Sequence, residues 1–228
     1  MKFSEMKYER PNFDKMFEDM KALLGKMQAA KSADEFVETL MELDKLGGNF
    51  ATMGTLCSIR NSINTKDEFY EKETEVMDEE SPRFGEIFSA VASICLRTPF
   101  RKDLEERFGK YFLDKAELAE KTFSPEVVED LVEENKLGTA YQKLLASAEI
   151  EFDGKTYNLT GMGTFALSKD RDVRRRANFA VNKWLGDRVD ELDELYDKLV
   201  KVRVKIAEKL GFNNFIELAY ARMTRTDW

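Results

Sequence analysis

Apolar residues recur at helical spacing along most of the chain. From a start near Asn12, the residues Phe13, Met16, Phe17, Met20, Leu23, Leu24 and Met27 follow i, i+3, i+4 steps, which predicts a first amphipathic helix with methionines as core filler. Ser32 followed three residues later by Glu35 predicts a second start of capping-box type. Its stripe runs through Phe36, Leu40, Leu43, Phe50, Met53, Leu56 and Ile59 to Ile63. Gly47, Gly48 and Gly54 interrupt this element and mean either a break or places where another helix packs closely; the stripe keeps its phase across them, which favours close packing.

Punctuation residues then divide the chain. Thr65 with Glu68 opens a helix expected to stop before Ser81-Pro82, and that Ser-Pro pair opens the next one, with Ile87, Val91, Ile94 and Cys95 on its apolar face, until Thr98-Pro99. Two short helices are expected over 100–121. Ser124-Pro125-Glu126 starts another through Val127, Val128, Leu131 and Val132, with a bend at Leu137-Gly138 before Tyr141, Leu144 and Leu145.

The period changes at "EIEFDGKTYNL". Ile150 and Phe152 on one side of Asp153-Gly154, and Tyr157 and Leu159 on the other, predict a two-residue hairpin. Helical spacing returns with a start at Ser168, and a long helix over about 187–210 carries Val189, Leu192, Leu195, Leu199, Val202, Ile206 and Leu210, closed by Gly211. The predicted fold is all-α: a bundle of long antiparallel helices with one small β-hairpin at about 149–160. The expected division is a helical lobe over 1–148 and a second unit over 149–228.

Composition narrows the chemistry. The formal net charge of −8 argues against a nucleic-acid partner, and no stretch approaches the roughly 20 apolar residues of a membrane span, so a cytoplasmic protein is expected. Cys57 and Cys95 have no redox spacing and read as buried thiols. There is no histidine at all, which removes Ser-His and Cys-His nucleophile systems and any H-E-x-x-H zinc helix. The acidic run Asp78, Glu79 and Glu80 points in three directions on a helix and reads as a solvated face, and Arg171, Arg174, Arg175 and Arg176 read as surface pairing partners rather than a phosphate site. "GMGTF" is too short and wrongly placed for a phosphate loop. No catalytic, cofactor-binding or metal-ligating residue is assigned.

The segments "SIRNSINTKDEFYEKE", "FSPEVVEDLVEENKL", "ASAEIEFDGKTYNL", "DRDVRRRA" and "LYDKLVKVRVKIAEKLGFNNFIELAYARMTRTDW" occur in an order that resembles the oligoendopeptidase F group of thimet-oligopeptidase-like zinc metallopeptidases, over the whole chain. The resemblance implies a mostly helical protein with a deep cleft between two lobes, which cleaves short peptides internally with one zinc held by two histidines and a glutamate. None of those roles maps onto a chain without histidine, so zinc is implied for the complete family enzyme and not for these residues. The ending resembles the segment by which the family's chain enters the catalytic domain, which makes residues 149–228 the expected start of that domain, cut short.

Two readings follow: an N-terminal lobe of such a peptidase, or a stand-alone helical module that binds peptide or protein without catalysis. Phe212, Phe215, Ile216, Leu218, Tyr220, Met223 and Trp228 are expected to form an apolar patch that self-associates or receives a C-terminal catalytic half.

Overall fold

The computed structural model describes residues 2–226. Among them are ten α-helices and one two-stranded antiparallel sheet, so the all-α fold with a single hairpin is observed. After a short 3-10 turn at Phe3–Glu5, the helices α1 (Phe13–Ala29), α2 (Ala33–Ile63) and α3 (Glu68–Arg97) pack on one another. Then come α4 (Arg101–Phe108), α5 (Lys110–Lys121) and, after a 3-10 turn at Pro125–Val127, α6 (Val128–Ala146). The hairpin strands β1 (Ile150–Phe152) and β2 (Lys155–Tyr157) are followed by α7 (Leu159–Ala166), α8 (Arg171–Gly186), α9 (Val189–Lys209) and α10 (Phe215–Arg222).

Start signals operate through side-chain oxygens that take up free amides. Asn12 accepts from the Lys15 amide at 3.1 Å, and Ser32 from the Glu35 amide at 3.2 Å. The Ser32 box differs in one detail: the Glu35 carboxylate reaches the Lys31 amide at 2.8 Å, one residue before the cap. At two starts a later acceptor wins over the expected one. Asp67, not Thr65, caps α3 by accepting from the amides of Phe69 and Tyr70, and Asp170, not Ser168, caps α8 by accepting from Asp172.

The expected break at Ser81-Pro82 does not occur, and α3 runs through it. Proline has no N–H to donate to the carbonyl four residues earlier, which is that of Asp78. That carbonyl instead accepts from Asn135 Nδ2 on α6 at 3.3 Å, so a tertiary contact substitutes for the missing helical bond. The expected bend at Leu137-Gly138 is also absent, α6 being continuous to Ala146. Leu159 does not extend the hairpin; it opens α7, capped by Asn158 accepting from the Gly161 amide at 2.7 Å.

Of the three glycines read as close-packing sites in α2, only Gly47 faces a neighbour, with a Cβ there 3.4 Å from the Phe88 ring. Around Gly48 and Gly54 a Cβ would meet nothing within 4 Å. The tight approach lies at Gly85 on α3, where a Cβ would fall 2.4 Å from the ring of Phe123.

The hairpin pairs Ile150 with Tyr157, Glu151 with Thr156 and Phe152 with Lys155. Its turn needs φ of +47° at Asp153 and +77° at Gly154, the positive pair of a type I′ turn. Arg176 of α8 donates to the Asp153 carboxylate at 2.6 Å and lies over the Phe152 ring, fastening the hairpin to α8. Ile150, Phe152, Met162, Ala177 and Trp184 form the core of this corner.

A further cluster joins Val127 with Val202, Ile206, Ala207 and Leu218, so apolar packing continues across position 148. α9 ends as a Schellman motif: Gly211 at φ +79° donates to the Glu208 carbonyl, and Phe212 to that of Ala207.

Candidate functional site

The long helices leave a trench. α3 packs against both α2 and α6 and forms its floor with Thr74, Met77, Asp78 and Ser81, while α2 and α6 face each other across it. The α2 wall is built of Ala51, Gly54, Ser58 and Asn61, spaced so that small side chains share one face of the helix. On the α6 wall stand Glu134, Asn135, Gly138 and Thr139, and Arg203 and Arg222 reach the lining from α9 and α10. The volume is about 800 Å³, within the usual range of small-ligand clefts. A Cβ at Gly54 or Gly138 would project into open space.

Glu134 is the electrostatic joint of the site. Its carboxylate accepts from Arg203 Nε at 2.7 Å and from Arg222 Nη1 at 2.9 Å, so two guanidinium groups share one carboxylate. One turn earlier on α6, buried Asp130 takes Lys205 at 2.6 Å and Lys209 at 2.5 Å. Burial pushes the Asp130 carboxyl up, but the hydrogen bonds from the two lysines outweigh it and hold the group below the usual range. Asp78 shows the opposite balance: burial raises its carboxyl despite a 2.7 Å hydrogen bond from the Thr139 hydroxyl.

Among the described residues, two buried side-chain atoms, both on residues of the lining, have no hydrogen-bond partner. Asn61, 6 % exposed, holds its Oδ1 buried without a hydrogen bond, and Arg222 holds Nη2 in the same condition. Most buried polar groups in folded proteins are hydrogen-bonded, and these two atoms, closed off from solvent behind the lining, are exceptions.

The acidic run read as a solvated face divides in three directions. Asp78 faces α6, Glu79 pairs with Lys136 at 2.7 Å, and Glu80 pairs with Arg83 at 2.5 Å. In the arginine cluster, Arg175 and Arg176 pair with Asp172, and Arg174 donates to the carbonyls of Ser168 and Lys169. Among the described residues no group of three or more His, Cys, Asp or Glu is placed to hold a metal ion. Asn61, Glu134, Arg203 and Arg222 were not singled out from sequence. The one signal for the trench was the small-residue spacing on α2, which a helical stripe of hydrophobic positions does not display.

This architecture is that of the helical N-terminal part of a peptidase. The chain belongs to the family of the peptidase M3 N-terminal domain, whose sequence pattern matches residues 3–123. Over its whole length it superposes on a protein assigned as oligoendopeptidase F from Bacillus anthracis str. Ames, with a TM-score of 0.95 and 42 % identity, covering 42 % of that chain. It is similar to PZ peptidase A, solved with an inhibitor, with a TM-score of 0.95 and 44 % identity over 40 % of that chain. A further oligoendopeptidase F structure gives 0.96 and 43 %, again over 40 % of its length. The chain thus spans about two fifths of the structures it matches. Among curated proteins none matches significantly.

Proposed function

We propose that this chain forms the N-terminal helical lobe of an oligoendopeptidase F-like zinc metallopeptidase and supplies one wall of a cleft that admits short peptides. The observation that supports it is the superposition of the entire chain, at 42–44 % identity, on oligoendopeptidase F and PZ peptidase A structures. Zinc belongs to the complete enzyme in this reading. The residues present do not fit a zinc site, since the chain has no histidine and the described residues contain no ligand cluster.

The lobe's contribution is shape and rigidity. Its long helices present a trench lined by polar and apolar residues, with the Glu134 ion pairs tying α6 to α9 and α10 and the Asp130 pairs tying it to α9, while residues 149–228 act as the start of the catalytic domain. A cytoplasmic setting accords with two buried free thiols and with the absence, among the described residues, of a helix long and apolar enough to cross a membrane.

The test is complementation. The chain is mixed or co-expressed with a C-terminal oligoendopeptidase segment carrying H-E-x-x-H, and cleavage of a quenched fluorescent peptide is followed. Chelator-sensitive turnover is expected only with both parts present. Turnover by the C-terminal part alone that this chain does not increase would refute the lobe's role.

A further inference from the structure

We propose that the segment ahead of α1, residues 2–10, is an exchangeable strap: the face of α2 and α3 on which it lies accepts the same segment from a second copy of the chain, so that two copies join by trading straps. The partner is a second copy because the face is fitted, side chain by side chain, to this one sequence.

The fit is specific. Tyr8 donates its hydroxyl to Glu73 Oε2 at 2.6 Å, and Arg10 Nε donates to both oxygens of the same carboxylate at 3.0 and 3.1 Å. The Tyr8 ring stands edge-on to Phe69 and Tyr70, with centroids 6.1 and 5.8 Å away. Arg60 of α2 donates to the Met6 carbonyl and to the Tyr70 hydroxyl and lies over the Phe3 ring, while the Glu9 amide donates to Met53 Sδ at 3.4 Å. Among the described residues, no hydrogen bond, ion pair or ring contact ties residues 2–10 to α1, the helix that follows them in the chain.

The face is costly to leave bare. Glu73 is 3 % exposed, and its hydrogen-bond partners among the described residues are Tyr8 and Arg10, both on the strap. A carboxylate so placed without donors is penalised, so a departing strap calls for a replacement that brings a hydroxyl and a guanidinium two residues apart. A second copy carries that pair and repeats every contact of the first.

The link to α1 is suited to straightening. Pro11 has no N–H, and it disfavours helical backbone at Arg10, the residue before it. A cavity of about 380 Å³ is bounded by the link, by Lys15 and Met16 of α1 and by Leu46 and Phe50 of α2, so the link is not closely packed on either helix. Exchange of an identical element across such a link keeps the strap's contacts and changes the backbone at few residues, which is why it is a low-cost route to a symmetric dimer. Within one chain the short link gives the strap an effective concentration on the order of millimolar, so the intramolecular contact prevails in dilute protein and exchange shows when that contact is disabled.

The experiment uses two full-length variants, both carrying Ile216→Glu and Met223→Glu so that the apolar end does not contribute. One has a disabled strap, Tyr8→Ala with Arg10→Ala; the other has a disabled face, Glu73→Met, in which an apolar side chain of similar length replaces the buried carboxylate. Each alone is expected to sediment as a monomer. Mixed at tens of micromolar after mild warming, they are expected to form a one-to-one heterodimer, seen by sedimentation and native mass spectrometry, and the strap-disabled chain should melt at a higher temperature than alone. A chain with both defects should pair with neither. Should the strap-disabled chain be unfolded alone, its helical spectrum is expected to return on mixing. Wild-type chain at its own effective concentration, on the order of millimolar, should show a dimer fraction that Glu73→Met removes. Monomers alone in the mixture, pairing between two face-disabled chains, or wild-type dimers that survive Glu73→Met would each overturn the proposal. Pairing reads the strap and peptide turnover reads the lobe's role in a peptidase, so the two ideas fail separately.

Discussion

Asn135 on α6 donates through Nδ2 to the main-chain carbonyl of Asp78, the acceptor that Pro82 leaves without a helical partner. A proline inside a helix ordinarily costs about 3 kcal/mol, through a lost hydrogen bond and a steric clash. Here the lost bond is replaced across the α3–α6 interface.

The first prediction is therefore a coupling. Asn135→Ala is expected to destabilise the chain by about 1–2 kcal/mol, because it leaves a carbonyl unsatisfied. In a Pro82→Ala background, where residue 82 supplies its own N–H, the same change should cost markedly less. Urea denaturation of the four proteins in the cycle measures the coupling, and additive effects would show that the two residues act independently.

Two helical glycines should respond in opposite directions. Gly54→Ala places a methyl group in open space and removes the flexibility cost of glycine, so a gain of about 0.5–1 kcal/mol is expected. Gly85→Ala drives a methyl group to 2.4 Å from the Phe123 ring, and a loss of about 1–3 kcal/mol is expected as the ring is displaced. Thermal melts of the two variants check both signs.

The thiols should be silent in the folded protein. Burial pushes Cys95 up to about 12, and burial is also the leading cause raising Cys57, so neither presents thiolate at neutral pH. Ellman's reagent at pH 8 is expected to label both only after denaturation. Rapid labelling of either in the native state would contradict the packing of α2 and α3 against their neighbours.

Two carboxyls should change stability with pH in opposite directions. Arg10, by hydrogen bonding the buried Glu73 carboxylate, holds it below its ordinary range, and Tyr8 donates to the same group at 2.6 Å. A carboxyl lowered in the folded state contributes stability above its unfolded value and loses it as pH falls through the folded one. Asp78, raised by burial and faced by Thr139, Lys136, Lys143 and Glu75, works the other way, contributing stability at low pH that is lost as pH rises through its folded value. Asp78→Asn should thus leave stability unchanged below pH 4 and increase it progressively toward pH 7. Denaturation midpoints across that window read the difference, and a constant offset at every pH would argue against it.

The apolar ending is partly absorbed by the chain's own core. Leu218 is fully buried, and Phe212 and Phe215 pack beside Val202 and Ile206, whereas Ile216 and Met223 remain exposed. Trp228 lies outside the described residues. If this end self-associates or receives a C-terminal half, Ile216 and Met223 carry the contact, together with the outward row Val189, Tyr196, Val200 and Val204 on α9. Replacing Ile216 and Met223 with glutamate should reduce association in sedimentation with little change in melting. Leu218→Ser is expected to cost several kcal/mol by emptying a core position. Unchanged association in the Ile216/Met223 variant would refute this surface.

Local signals made most of the fold legible. Asn12, Ser32 and Ser124 act where expected because a cap needs only its own next few residues, and Asp153-Gly154 dictates its turn by backbone preference alone. The failures occurred where distant residues decide. Pro82 continues a helix because Asn135 is there to replace its bond, and Gly85 is tight because Phe123 folds over it. The trench was hard to read for the same reason: Asn61, Glu134 and Arg222 line it from α2, α6 and α10, and the small-residue spacing on α2 does not say which helices stand opposite.

The ion pairs of α6 have a consequence for the chain as it is made. Asp130 and Glu134 leave the ribosome long before their cations, since Arg203 follows Glu134 by 69 residues and Arg222 by 88. At about 5–20 residues per second of synthesis that interval is roughly 3 to 18 seconds. Throughout it, the two carboxylates lack the cations that pair with them in the folded chain, and covering that side of α6 would bury unpaired charge at a cost. When α9 and α10 emerge, their lysines and arginines discharge this acidic seam and allow it to close, so synthesis order and charge order coincide.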